Sequence, residues 1–205
     1  MKKTEAVLMF VDILNSAQFS DVLSLEEYDK LIFQFQDVVM QAVDDVLKNM
    51  KFTEGQFEFG TAGDELKIFL YSDDKYKDIE ASIRISFFIK LKWFDSEINR
   101  LRIEESKPPI DLAVGIHYGY AMLNSHPGRK DTKENLEGYA INFAKRIESN
   151  AREGKYSRIV LSQSAYALAK QLQYKKNHKW YFDFAPLPQT ILKGISEKVM
   201  IYEMR

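Results

Sequence analysis

The order of predicted elements is β-α-β-β-α-β followed by α-β-α-β-β. It predicts an α+β fold, a ferredoxin-like βαββαβ core with a C-terminal αβαββ extension. Three observations carry this expectation. Residues 5–13 (EAVLMFVDI) are a continuous apolar run, the pattern of a strand buried on both faces. Two long stretches, about 25–49 and 75–101, repeat apolar residues at helical spacing. Between them, residues 55–71 (GQFEFGTAGDELKIFLY) alternate apolar and polar positions on either side of a turn ending in Gly63-Asp64, which reads as a β-hairpin.

Composition narrows the class. A chain of 205 residues with 45% apolar and 29% charged residues suits one domain, residues 1–205, with a sizeable core. The formal net charge of −1 gives no strong attraction to nucleic acid or to an anionic membrane. The absence of cysteine removes disulfides, thiolate metal sites and cysteine nucleophiles, and fits a reducing compartment. No apolar run approaches the length of a bilayer span. The start, MKKTEAVLMFVDI, suits a first strand better than a signal peptide, so a cytoplasmic protein is expected.

The elements follow in order. The first strand ends at Asp12, and NSAQFSDVLS reads as a polar, turn-prone segment. Ser24 and Glu27 have the spacing of a capping box for the helix over 25–49. After the hairpin comes one helix over about 75–101, and Pro108-Pro109 stop any continuation. Residues 110–123 (IDLAVGIHYGYAML) form a strand, in which Gly115 and Gly119 suggest a bend or bulge, and 124–135 a polar loop. A helix over 137–152, a strand at 158–161, a helix from Ser162 to about 172 and a tail of short strands complete the chain. His117, in the strand, reads as a core or sheet residue.

In a ferredoxin-like arrangement the first strand and the hairpin lie in one antiparallel sheet, so Asp12 and Asp64 can approach each other. Two adjacent carboxylates repel unless cations lie between them. Paired acids at strand ends are therefore a metal-site pattern, and their oxygens suit Mg²⁺ or Mn²⁺. The plain alternative is two unrelated surface acids, one of them in an ordinary Gly-Asp turn.

These residues carry a resemblance to a known family. FVDILNSAQFSD, GTAGDELKIF, IDLAVGIHYGYAML, GYAINFAKRIESNAREGKYSRIVLSQSAY and LKGISEKVMIYEM occur in order, and together they resemble the class III nucleotide cyclase catalytic domain over nearly the whole chain. The resemblance implies conversion of a nucleoside triphosphate to a 3′,5′-cyclic nucleotide and pyrophosphate, with two Mn²⁺ or Mg²⁺ ions per site. It places Asp12, the backbone of Ile13 and Asp64 at the metals. Asn142 falls on the ribose-orienting position, Arg146 on the transition-state position and Lys193 on the triphosphate position. It also implies a head-to-tail homodimer with composite sites, the aspartates from one chain and Asn142, Arg146 and Lys193 from the other.

The departures fall on base recognition. Where the family carries a lysine or glutamate, four positions before the second aspartate, this chain has Gly60. The partner position, often Asp or Cys, is Asn135, which offers both a donor and an acceptor. Three readings follow. The favoured one is a pyrimidine cyclase acting on UTP or CTP, resembling the stand-alone enzymes of bacterial anti-phage signalling. The second is an adenylate cyclase with atypical base-reading residues, and the third a non-catalytic cyclase-homology binding domain. A GGDEF-type signature is absent, since the hairpin reads AGDEL.

Overall fold

The computed structural model describes residues 2–124, 135–176, 182–192 and 198–205. Its elements are β1 (Lys2–Ile13), α1 (Ser16–Val22), α2 (Leu25–Asn49), β2 (Phe57–Ala62), β3 (Glu65–Leu70), α3 (Lys75–Phe94), α4 (Glu97–Glu104) and β4 (Leu112–Asn124). They continue as β5 (Asn135–Glu137), α5 (Tyr139–Ala151), β6 (Ile159–Ser162), α6 (Gln163–Lys175), β7 (Phe184–Pro186), β8 (Thr190–Ile191), β9 (Lys198–Val199) and β10 (Ile201–Met204).

The main sheet runs β2-β3-β1-β4-β6-β10-β7, with β5 added to β4, while β8 and β9 form a separate pair. Its first four strands have the ferredoxin-like order, all antiparallel; β6 joins β4 in parallel. The side-chain period of two sends successive residues of β1 to opposite faces. Val7, Met9, Val11 and Ile13 pack under α2 and α3 in the larger core, whereas Ala6, Leu8 and Phe10 meet Ala140 and Ala144 of α5 in the smaller one. Both sets are buried, which explains why β1 is apolar throughout. Asp12 falls on the α5 face, the one carboxylate of the strand's buried half.

The capping box at the start of α2 is formed: Ser24 Oγ accepts from the Glu27 amide, and Glu27 accepts from the Ser24 amide. Four expectations need correction. The segment after β1 contains the short helix α1, entered through Asn15 at φ +62° rather than through a side-chain cap. The single helix expected over 75–101 is two helices. Ser96 caps α4, and the wholly buried Asn99 ties the break to the chain ahead of β4, donating to the Trp93 and Ile110 carbonyls and accepting from the Ile110 amide. That short local cap interrupts the helical period without changing it, so the apolar spacing alone did not show it. The polar loop expected over 124–135 gives its two ends to β4 and β5, because Asn124 pairs with Asn135.

The fourth concerns Gly115 and Gly119, which make no bulge. The β1–β4 register is uninterrupted from Lys2↔Leu123 to Ile13↔Leu112. Instead they make room. A Cβ at Gly115 would lie 2.2 Å from the Glu148 amide nitrogen, so α5 rests on β4 at backbone contact. At Gly119 it would lie 2.6 Å from His117 Nε2. His117 itself is a packing residue. Its ring lies 4.7 Å from that of Phe143, and Nδ1 is 2.9 Å from Ser162 Oγ.

Two outcomes follow from this packing. Gly115→Ala is expected to destabilise the protein by about 1–3 kcal/mol through overpacking, read from the urea midpoint. Burial pushes the His117 imidazole down from 6.5 to about 4. The unfolded chain therefore takes up this proton as pH falls below 6.5 and the folded chain only near 4, so the neutral ring's contribution is intact above 6.5 and lost toward 4. Relative to His117→Phe, the wild type is expected to lose about 2 kcal/mol between pH 7.5 and pH 5, measured by urea unfolding at both.

Candidate active site

The hairpin tip is built by backbone geometry. Ala62 pairs with Glu65, leaving Gly63-Asp64 as a two-residue turn with Gly63 at φ +62°. Glycine at the first central position is the requirement of a type II′ hairpin turn. Gln36 of α2 holds the turn from one side, its Nε2 donating to the Gly63 carbonyl at 2.9 Å. From the other side the Ile13 amide donates to the Asp64 carbonyl at 3.3 Å. The end of β1 is thereby tied to the turn, and the Asp12 and Asp64 carboxyl groups are neighbours.

Helix α5 closes this corner. Because Gly115 lets it approach β4, Lys145, Glu148 and Arg152, spaced i, i+3 and i+7, reach the β1 end. Arg152 donates to Asp12 Oδ2 at 2.7 Å. The Lys145 ammonium lies 3.9 Å from the same oxygen and 3.2 Å from Glu148, and is hydrogen-bonded to Glu65. Asp12 is 8% exposed and Glu148 is fully buried.

Burial pushes the Asp12 carboxyl up to about 6; Lys145 and Arg152 pull against that, and the like charge of Asp64 adds to it. Burial likewise pushes Glu148 up to about 7, opposed chiefly by Lys145. Lys145 stands above its ordinary value although burial acts to lower it, because the bond to Glu65 and the charges of Glu148 and Asp12 outweigh desolvation.

The donor set suits a hard divalent cation. Asp12 Oδ1 is buried and receives no hydrogen bond, and Asp64, its carboxylate neighbour, has only acceptors to offer when ionised. A buried, unpartnered carboxylate oxygen beside a second carboxylate is satisfied by a cation. Among the described residues no group of three or more His, Cys, Asp or Glu side chains is disposed to hold a metal ion. Two carboxylates completed by water and substrate phosphates match the habits of Mg²⁺.

Of the residues singled out in the sequence, Asp12, Ile13 and Asp64 thus come together. Asn142 is exposed and Arg146 half-buried on α5. Among the described residues, neither contributes a side-chain bond to the Asp12 corner. Gly60 lies opposite Lys67 on the hairpin, with open space where a side chain would stand. Asn135 opens β5, where only its backbone is described, and Lys193 lies outside the described residues. Glu65, Lys145, Glu148 and Arg152 were not expected at the site. The signal for the last three was their charge at i, i+3 and i+7 beside the apolar Ala144, Ile147 and Ala151, and Glu65 carried none.

A family model described as the adenylate and guanylate cyclase catalytic domain matches residues 1–203. No curated protein matches the chain in sequence. Among solved structures it is similar to the adenylyl cyclase CyaB of P. aeruginosa, with 17% identity and a TM-score of 0.72 over 100% of this chain and 95% of that one. It is also similar to the guanylate cyclase domain of RhGC from Catenaria anguillulae in complex with GTP, with 19% identity and a TM-score of 0.68 over 100% and 98%. A third is the non-canonical dimeric guanylyl cyclase domain of the RhoGC fusion protein from Blastocladiella emersonii, with 18% identity and a TM-score of 0.68 over 98% and 97%. At these identities the likeness establishes the shared fold.

If the orphaned Asp12 oxygen faces a cation position, Mn²⁺ at millimolar concentration is expected to raise the thermal unfolding midpoint by several degrees. Asp12→Asn or Asp64→Asn should remove the shift. Fluorimetric melting of the three proteins with and without Mn²⁺ checks this.

Proposed function

The chain belongs to the adenylate and guanylate cyclase catalytic domain family and is a nucleotide cyclase, a phosphorus–oxygen lyase; on that premise we propose that it cyclises a pyrimidine nucleoside triphosphate, UTP or CTP, to a signal in bacterial anti-phage defence. The observation that carries the catalytic part is the meeting of Asp12 and Asp64 around a buried oxygen with no donor. What supports the pyrimidine reading is the base-reading region: Gly60 has no side chain where the family carries a lysine or glutamate, and Asn135 replaces the usual Asp or Cys.

In this reaction the ribose 3′-oxygen forms a bond to the α-phosphorus, the bond to pyrophosphate breaks, and the hydroxyl proton leaves to solvent. The family normally uses divalent metals. When bound, such a cation acidifies the attacking hydroxyl and neutralises phosphate charge. Asp12 and Asp64, with the backbone of Ile13, would hold it. Asn142 would fix the ribose through its amide. Arg146 would meet the charge developing on the α-phosphate, a task suited to a planar guanidinium that is always charged. Lys193 would act as a point charge on the β- and γ-phosphates.

Asn142 and Arg146 make no side-chain bond to the Asp12 corner of their own chain among the described residues, which favours a head-to-tail homodimer in which each site draws its aspartates from one protomer and its Asn142, Arg146 and Lys193 from the other. The similar domain described as a non-canonical dimer and the one in complex with GTP are in keeping with dimerisation and with a triphosphate substrate, without bearing on the head-to-tail arrangement.

Incubating the purified protein with Mn²⁺ and each of ATP, GTP, CTP and UTP tests the reading. Cyclic UMP or cyclic CMP with stoichiometric pyrophosphate is expected. Cyclic AMP instead selects an adenylate cyclase that reads its base by other residues, and no product from any nucleotide overturns the catalytic assignment. Asp64→Ala should abolish turnover with the dimer intact by light scattering, and Arg146→Ala should lower kcat by about 10²–10³.

A further inference from the structure

The Asp12 corner contains cations of its own. Four carboxylates gather there: Asp12, Asp64, Glu65 and Glu148. They face two side-chain cations, Lys145 and Arg152. Fully ionised, the six groups sum to −2, the charge that one divalent ion cancels.

The two cations are bound differently. Arg152 makes a direct hydrogen bond to Asp12 Oδ2. Lys145 bonds Glu65, lies 3.2 Å from the buried Glu148, and only approaches Asp12, at 3.9 Å from the same Oδ2. Neither touches Oδ1, which is buried and receives no hydrogen bond, as is also true of both Glu148 carboxylate oxygens. Lys145 is 37% exposed at its side chain, although its ammonium reaches into the cluster.

We propose that Lys145 is a resident counter-cation of this centre, and that its charge sets how tightly Asp12 and Asp64 take up a divalent ion. The inference rests on the reading of those two residues as a metal-holding pair. Without a divalent ion, the ammonium offsets the mutual repulsion of Asp12, Glu65 and Glu148 and keeps them assembled. With one, the same positive charge opposes the incoming ion, so affinity is held below what the bare carboxylates would give. Arg152 is the anchoring partner: by engaging Oδ2 it fixes the Asp12 carboxylate with Oδ1 left open.

The test is isothermal titration of the full chain with Mn²⁺ alone, no nucleotide present. Lys145→Met should bind Mn²⁺ about tenfold more tightly than wild type, the order expected when one unit charge is removed from beside a divalent ion. Lys145→Arg, which keeps the charge, should stay within about twofold of wild type. If the Met variant does not fold, Lys145→Gln, which retains a donor for Glu65, carries the same expectation. Unchanged or weaker binding in the neutral variants, with wild-type binding still abolished by Asp64→Asn, overturns the role of Lys145 and leaves the metal reading standing. Wild-type binding that is absent, or indifferent to Asp64→Asn, overturns both.

Discussion

The burial of one carboxylate at the end of β1 is the constraint on which the arrangement depends. Asp12 lies on a sheet face whose preceding positions, Leu8 and Phe10, are apolar and buried. A charge in that place is costly unless it is paired. Each feature of the corner answers to it. Arg152 supplies a hydrogen-bonded cation and Lys145 a more distant one. The II′ turn at Gly63 brings up a second carboxylate, which makes the position harder to tolerate and better suited to a divalent ion.

The position of α5 follows from the same requirement. The helix can deliver Lys145, Glu148 and Arg152 to the β1 end only by lying against β4, and Gly115 removes the side chain that would hold it off. The ferredoxin-like strand order contributes the rest, since it puts β1 between β3 and β4. Asp12 is thereby flanked by Glu65 on one side and Ala113 on the other. The hairpin and α5, far apart in sequence, converge on a single residue.

The helix that completes this corner also carries Asn142 and Arg146. Lys145 and Glu148 of this helix lie on the Asp12 cluster, while Asn142 is exposed and Arg146 half-buried.

The sequence by itself determined the elements whose cause is local. The apolar run of β1, the Ser24–Glu27 capping box, the alternation of β2 and β3 and the glycine of the turn each act within a few residues, so their pattern was legible. So were Asp12 and Asp64, as strand-end carboxylates. Tertiary structure alone decided what depends on approach between distant segments. The glycines of β4 read as a bulge until the contact between Gly115 and Glu148 showed them to be clearance for a helix. The α3–α4 break rests on Asn99 bonding Ile110. Lys145, Glu148 and Arg152 were not singled out, because charge spacing states which residues share a side of a helix and not which side meets the sheet. Burial settles that, and burial is a property of the packed chain rather than of any stretch of it.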